Sequence, residues 1–240
     1  MDDPWYNGFI NAEASQIGRE WHLSFDGGLG KIPGLNSDAW TLAVCHELGH
    51  HFGGYPFFDA PGLKWASVEG QADYFATRVC ARIRWQNETQ TNEKFSTNVD
   101  PIARGQCDQA WNSRANRNLC YRIATAAQTF WTAYTWQGNF EIERYRTHQP
   151  HAKLPRFQTP DLNQVPQTHS LVGDHPNTQC RLDTMLAGAV CRAKIDLNLI
   201  PGKIENERHL EAKEIRKAQA PYACENGRGA RPACWFAPIP

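Results

Sequence analysis

Residues 43–54 read Ala-Val-Cys-His-Glu-Leu-Gly-His-His-Phe-Gly-Gly, with His46 and His50 four positions apart and Glu47 between them. At 3.6 residues per turn such histidines project from one helix face, one above the other. Two imidazoles at that spacing bind zinc, and the intervening carboxylate can serve as a general base. A catalytic zinc site needs three protein ligands and an open position, so a third ligand must come from elsewhere. The stretch Glu69-Gly-Gln-Ala-Asp73 supplies a candidate, because the 18 residues between His50 and Glu69 allow a turn and a returning helix. Asp73, one turn beyond Glu69, is placed to accept from the second ring nitrogen of His46 and so fix its tautomer. His22, His51, His148, His151 and His169 have no selecting spacing and read as surface or packing residues.

His-Glu-x-x-His followed by Glu-x-x-x-Asp on a second helix resembles the gluzincin metallopeptidases. The Ala72-Asp73 pair is similar to the branch containing HtpX and the CAAX prenyl endopeptidases. Asp174-His175-Pro176-Asn-Thr-Gln-Cys-Arg181 resembles that branch's downstream His-Pro and Arg motif. The resemblance implies one zinc per chain on His46, His50 and Glu69, with Glu47 as base in metal-assisted peptide hydrolysis. It also implies that His175 and Arg181 line the site. His175 would contact the substrate backbone or the developing oxyanion, and Arg181 would pair with an acidic residue. The motifs cover roughly a fifth of the chain. Membrane members of that branch carry transmembrane helices, whereas no apolar run here approaches the ~20 residues a bilayer requires. The chain therefore looks like a soluble exported relative, and prenylated substrates are not carried over.

The elements that must position these residues follow from periodicity. Trp5, Phe9, Ile10, Ala14 and Ile17 predict a helix over 4–18, and Glu20–Phe25 alternates as a strand. The ligand helix starts at Asn36-Ser37-Asp38 and ends at Gly53-Gly54. Its core stripe is Trp40, Val44 and Leu48, separate from a face with Leu42, His46 and His50. Gly49 inside it costs about 1 kcal/mol relative to Ala, which a close backbone approach would explain. A second helix spans 65–84, with Val68, Ala72, Phe75, Val79 and Ile83 buried. Residues 86–106 are polar and read as a loop, 116–136 as a helix with Leu119, Ile123, Ala127, Phe130 and Tyr134 on one face. A short strand is predicted over 140–145, a long connection over 147–174, a helix over 177–193 and a charged surface helix over 203–219. The fold class is α+β and mainly helical, a zincin-like domain over 1–200 with a small sheet beside the active-site helix. Residues 201–240 form a C-terminal helix and a disulfide-looped tail packed on it.

The 25 basic and 25 acidic residues balance, which leaves no case for a nucleic-acid or anionic-membrane partner. A protein or peptide substrate and a monomeric chain are expected. Eight cysteines without a Cys-x-x-Cys spacing point to disulfides in a secreted or periplasmic protein, its export signal removed. Cys224–Cys234 is the favoured pair. Cys180 and Cys191 lie about 16 Å apart on one helix and cannot bond to each other. A second reading from another class is a latent or non-catalytic zinc-containing binding or scaffold protein. Its cleft would be covered by the 147–174 segment or by the tail with Trp235, Phe236 and Pro238.

Overall fold

The computed structural model describes residues 8–18, 20–144, 151–158, 175–195 and 222–236. The helix predicted over 203–219, and the 147–174 connection apart from 151–158, lie outside these residues. The chain is α+β and mainly helical, with one two-stranded antiparallel sheet.

Strand β1 (Ala12–Ile17) pairs with β2 (Glu20–Phe25), Ala12 opposite Phe25 and Ile17 opposite Glu20. The helix predicted over 4–18 is therefore wrong where it can be followed. Gly18 adopts φ +62° at the turn, and the two-residue connection folds this segment back along its neighbour. Sheet pairing overrides a helical spacing carried by only a few apolar residues.

Helix α1 (Ser37–Phe52) is capped by Asn36, whose Oδ1 accepts from Ala39 N, and ends at Gly53. Its buried residues are Ala39, Leu42, Ala43, Cys45, His46, Glu47, Gly49, His50 and His51, while Trp40, Val44 and Leu48 are only half-buried. The predicted core stripe is thus the less covered side, because α1 runs through the middle of the molecule and the ligand face looks inward. The second helix begins at Glu69, four residues later than predicted. It runs as α2 (Glu69–Phe75), a π turn (Ala76–Cys80) and α3 (Ala81–Trp85).

The loop predicted over 86–106 is instead partly helical, with α4 (Thr89–Glu93) and α5 (Pro101–Ala110). Asp100 caps α5 by accepting from Ile102 N and Ala103 N, with Pro101 in the first turn. The buried stripe of α5 is Ala103, Cys107 and Ala110, small residues that give little hydropathy signal. Helix α6 (Arg114–Arg144) absorbs the strand predicted over 140–145. Trp136 stacks on Phe140, and Gln137 donates to Glu141, both one turn apart. Helix α7 (Thr178–Val190) is capped by Asn177. The main core joins Leu42, Trp85, Ile123, Leu182 and Met185, from α1, α3, α6 and α7.

All eight cysteines pair, as Cys45–Cys80, Cys107–Cys120, Cys180–Cys234 and Cys191–Cys224. The favoured Cys224–Cys234 bond is corrected. The tail spreads along α7, so its two cysteines reach Cys191 and Cys180 at opposite ends of that helix. Among the described residues no helix is long and apolar enough to cross a membrane. Four disulfides fit an oxidising or extracellular compartment.

Candidate metal centre

Helices α1 and α2 touch where Gly49 meets Ala72. A β-carbon at residue 49 would lie 2.7 Å from Ala72 Cα and from its carbonyl oxygen. That approach sets Glu69, the first residue of α2, against the histidine face of α1. His46 Nε2 lies 3.2 Å from Glu69 Oε2, and His50 Nε2 lies 3.6 Å from Glu69 Oε1. Ligand atoms of His46, His50 and Glu69 all fall within 4.8 Å of one another. Tetrahedral ligands about 2.1 Å from an ion stand roughly 3.4 Å apart, so the spacing suits one small cation.

The outward ring nitrogens are held. His50 Nδ1 bonds the Ser67 carbonyl at 2.7 Å, and His46 Nδ1 bonds Asp73 Oδ1 at 2.9 Å. Both partners accept, so both Nδ1 atoms carry a proton and both Nε2 atoms face the cluster. Arg181 clamps the far side. Its Nε and one terminal nitrogen bond Asp73 Oδ2 and Oδ1 at 2.6 and 3.0 Å, and the same nitrogen lies 2.9 Å from Glu69 Oε2. The guanidinium rests on the Trp131 ring, 4.2 Å from its centroid.

The electrostatics fit a divalent cation. Glu47, Glu69 and Asp73 contribute three buried carboxylates. Arg181 offsets one of them, leaving two negative charges. Glu69 Oε2 is buried without a well-directed hydrogen bond. Burial opposes charge on His46, but Asp73 and Glu69 outweigh it and push the imidazole up to about 10. That proton is a partial substitute for a cation. Burial, then repulsion from His46, push His50 down to about 4, so its lone pair is free at neutral pH. Burial also opposes charge on Glu69, yet Arg181 foremost, with His175 and His46, holds its carboxyl well below the usual range. Burial pushes the Glu47 carboxyl up.

These groups open on a cleft of about 360 Å³ lined by His46, Glu47, His50, Glu69, His175 and Arg181. The side chain of His175 is 69% exposed, and its Nε2 sits 3.1 Å from Glu69 Oε1. Among the described residues it does not join the three-residue ligand group. Five consecutive residues, Ile10–Ala14, also line the cleft. A strand face would present alternate residues, so it is the edge of β1 that borders the cleft. Asp26 N donates to Asn11 O. By the antiparallel alternation, Ala12 and Ala14 then point their backbone groups to the open edge.

No described residue of the tail lines the cleft. Trp235 instead packs behind α2, where a β-carbon on Gly70 would meet its ring at 2.2 Å, and donates to Thr184 Oγ1. A tail covering the cleft is therefore not what residues 222–236 form. His51 is a packing residue as expected, stacked between Trp21 and Trp65. Three contributors to the site carry no signal in local spacing. Ser67 acts through its carbonyl, which leaves no side-chain signal. Trp131 lies one position from the predicted apolar face of α6, and β1 falls within the span whose spacing predicts a helix. Comparisons with protein families, curated proteins and solved structures return no match.

Proposed function

We propose that this chain is an exported zinc endopeptidase of gluzincin type, with a zincin-like arrangement of ligand helices and strand edge. The carrying observation is the convergence of His46, His50 and Glu69 beside a buried Glu47 in one cleft. Two imidazoles and a carboxylate are a donor set that suits zinc. His46, His50 and Glu69 would hold the ion, Asp73 and Ser67 would keep the histidine rings oriented, and Arg181 would keep Asp73 and Glu69 in place. Zinc bound there supplies Lewis acidity toward a carbonyl and lowers the pKa of water.

The chain's own residues do the rest. Ala12 and Ala14 offer backbone donors and acceptors along which an extended peptide adds as a further strand. That places a scissile carbonyl over the cluster without any demand on sequence. Glu47 takes a proton from the attacking water and returns it to the leaving amine, and burial moves its carboxyl toward the pH at which it works. Exposed on the cleft rim, His175 donates to the developing oxyanion. The test is Glu47→Gln. It is expected to keep zinc and to lose hydrolysis of an unfolded protein substrate by about 10²–10⁴-fold. Activity equal to the parent would remove the proposed base.

A further inference from the structure

Two apolar walls flank the ligand atoms. The first comes from the segment between α1 and α2, where Phe58 lies 6.2 Å from the His50 ring and Leu63 and Trp65 continue the surface. Trp65 is fixed by stacking on His51 and by donation to the Gly62 carbonyl. The second wall belongs to α6, with Trp131 beneath Arg181 and Tyr134 at the rim. Leu63 and Tyr134 keep 43% and 41% of their surface exposed, so each wall offers apolar surface to a ligand. Between the walls Ala12 and Ala14, on either side of Glu13, carry only methyl side chains, which leaves room for large ones. Glu47 and Glu69 are carboxylates, and the guanidinium of Arg181 is already engaged by Asp73 and Glu69. Glu13 adds a carboxylate to the cleft lining, and the His46 imidazole is already paired with Glu69 and Asp73.

We propose that the cleft takes an extended peptide with bulky apolar side chains on both sides of the cleaved bond, and excludes acidic side chains there. One side chain lies against Leu63 and Trp65, the other against Trp131 and Tyr134. An aspartate or glutamate at either place would lie against an apolar wall beside the carboxylates of Glu13, Glu47 and Glu69, with the Arg181 guanidinium already engaged. This rests on the peptidase reading of the same site.

The experiment profiles the full zinc-loaded chain against defined ten-residue peptides carrying Phe, Leu, Ala or Glu on either side of one bond. Apolar-bulky pairs are expected to be cleaved about 10–100-fold faster than Ala pairs, and Glu-containing pairs slowest. Leu63→Ala and Tyr134→Ala should each flatten the preference on one side only, and Leu63→Arg should admit Glu on that side. Binding of the same labelled peptides to Glu47→Gln, read by fluorescence anisotropy, gives a second readout. Cleavage without side-chain preference would overturn the proposal and leave the peptidase reading standing. Apolar-selective binding with no cleavage by the parent would overturn hydrolysis and keep the assignment of the two walls. Neither binding nor cleavage would overturn both.

Discussion

Two buried arginines in this molecule are built alike and end differently. Arg122 on α6 grips Asp38 with two nitrogens at 2.8 and 2.9 Å, and Arg181 on α7 grips Asp73 in the same fashion. Each lies over an indole, Trp85 at 4.3 Å and Trp131 at 4.2 Å. The remaining nitrogen of Arg122 bonds Glu88 and Asn92, so all three of its nitrogens are engaged, and together they tie α6 to α1 and α4. That network is a clasp. Around Arg181 the balance is left open, with the carboxylates of Glu47, Glu69 and Asp73 against one guanidinium, two histidines facing Glu69 and a cleft alongside. A saturated ion pair holds structure together, and one short of positive charge beside two histidines has room for a cation.

The largest expected effect comes from removing each arginine. Arg181→Met strands Asp73, wholly buried, and Glu69, and should cost about 3–5 kcal/mol in metal-free urea unfolding. Arg122→Met strands Asp38, while Glu88 keeps its pairing with Arg84, and the two carboxylate side chains are 15% and 32% exposed and still reach water, so its cost should be smaller. Zinc affinity is the sharper contrast, since it should fall in Arg181→Met and stay unchanged in Arg122→Met. Asp73→Asn should weaken zinc binding about 10–100-fold by releasing the His46 ring, and Asp38→Asn should not weaken it at all. A titration giving equal losses for both pairs would erase the distinction.

Gly49→Ala tests the helix contact that creates the open network. Helix propensity alone would make this substitution stabilising by about 1 kcal/mol. The Ala72 backbone in its way should instead make it destabilising by about 1–3 kcal/mol, with weaker zinc binding as α1 and α2 separate. Asp183, outside both networks, should show the smallest effect. Burial pushes its carboxyl from 3.8 to about 6, so the folded protein takes up a proton before the unfolded one. Stability should therefore fall as pH rises between about 4 and 6. Asp183→Asn should flatten that slope by no more than about 1 kcal/mol, since the side chain retains contact with water.

The parts of this molecule that sequence could reveal are those written in local spacing. Asn36, Gly53 and the four-residue step from His46 to His50 mark α1, and the Glu69–Asp73 step marks α2. What escaped depends on partners far along the chain. Strand β1 exists because β2 lies beside it, α5 hides behind a stripe of alanines and a cysteine, and Cys224 and Cys234 each find a different end of α7. The contrast between Arg122 and Arg181 is invisible for the same reason. Each is an arginine on a helix, and only the folded neighbourhood counts the carboxylates and imidazoles that surround it.

Metal content decides whether the open network is a metal centre. The purified chain, dialysed against metal-free buffer and then measured by inductively coupled plasma mass spectrometry, should retain about one zinc per molecule. Its His50→Ala variant should retain almost none. Clearly sub-stoichiometric zinc in the parent chain, or equal retention in the variant, would contradict a site built on His46, His50 and Glu69.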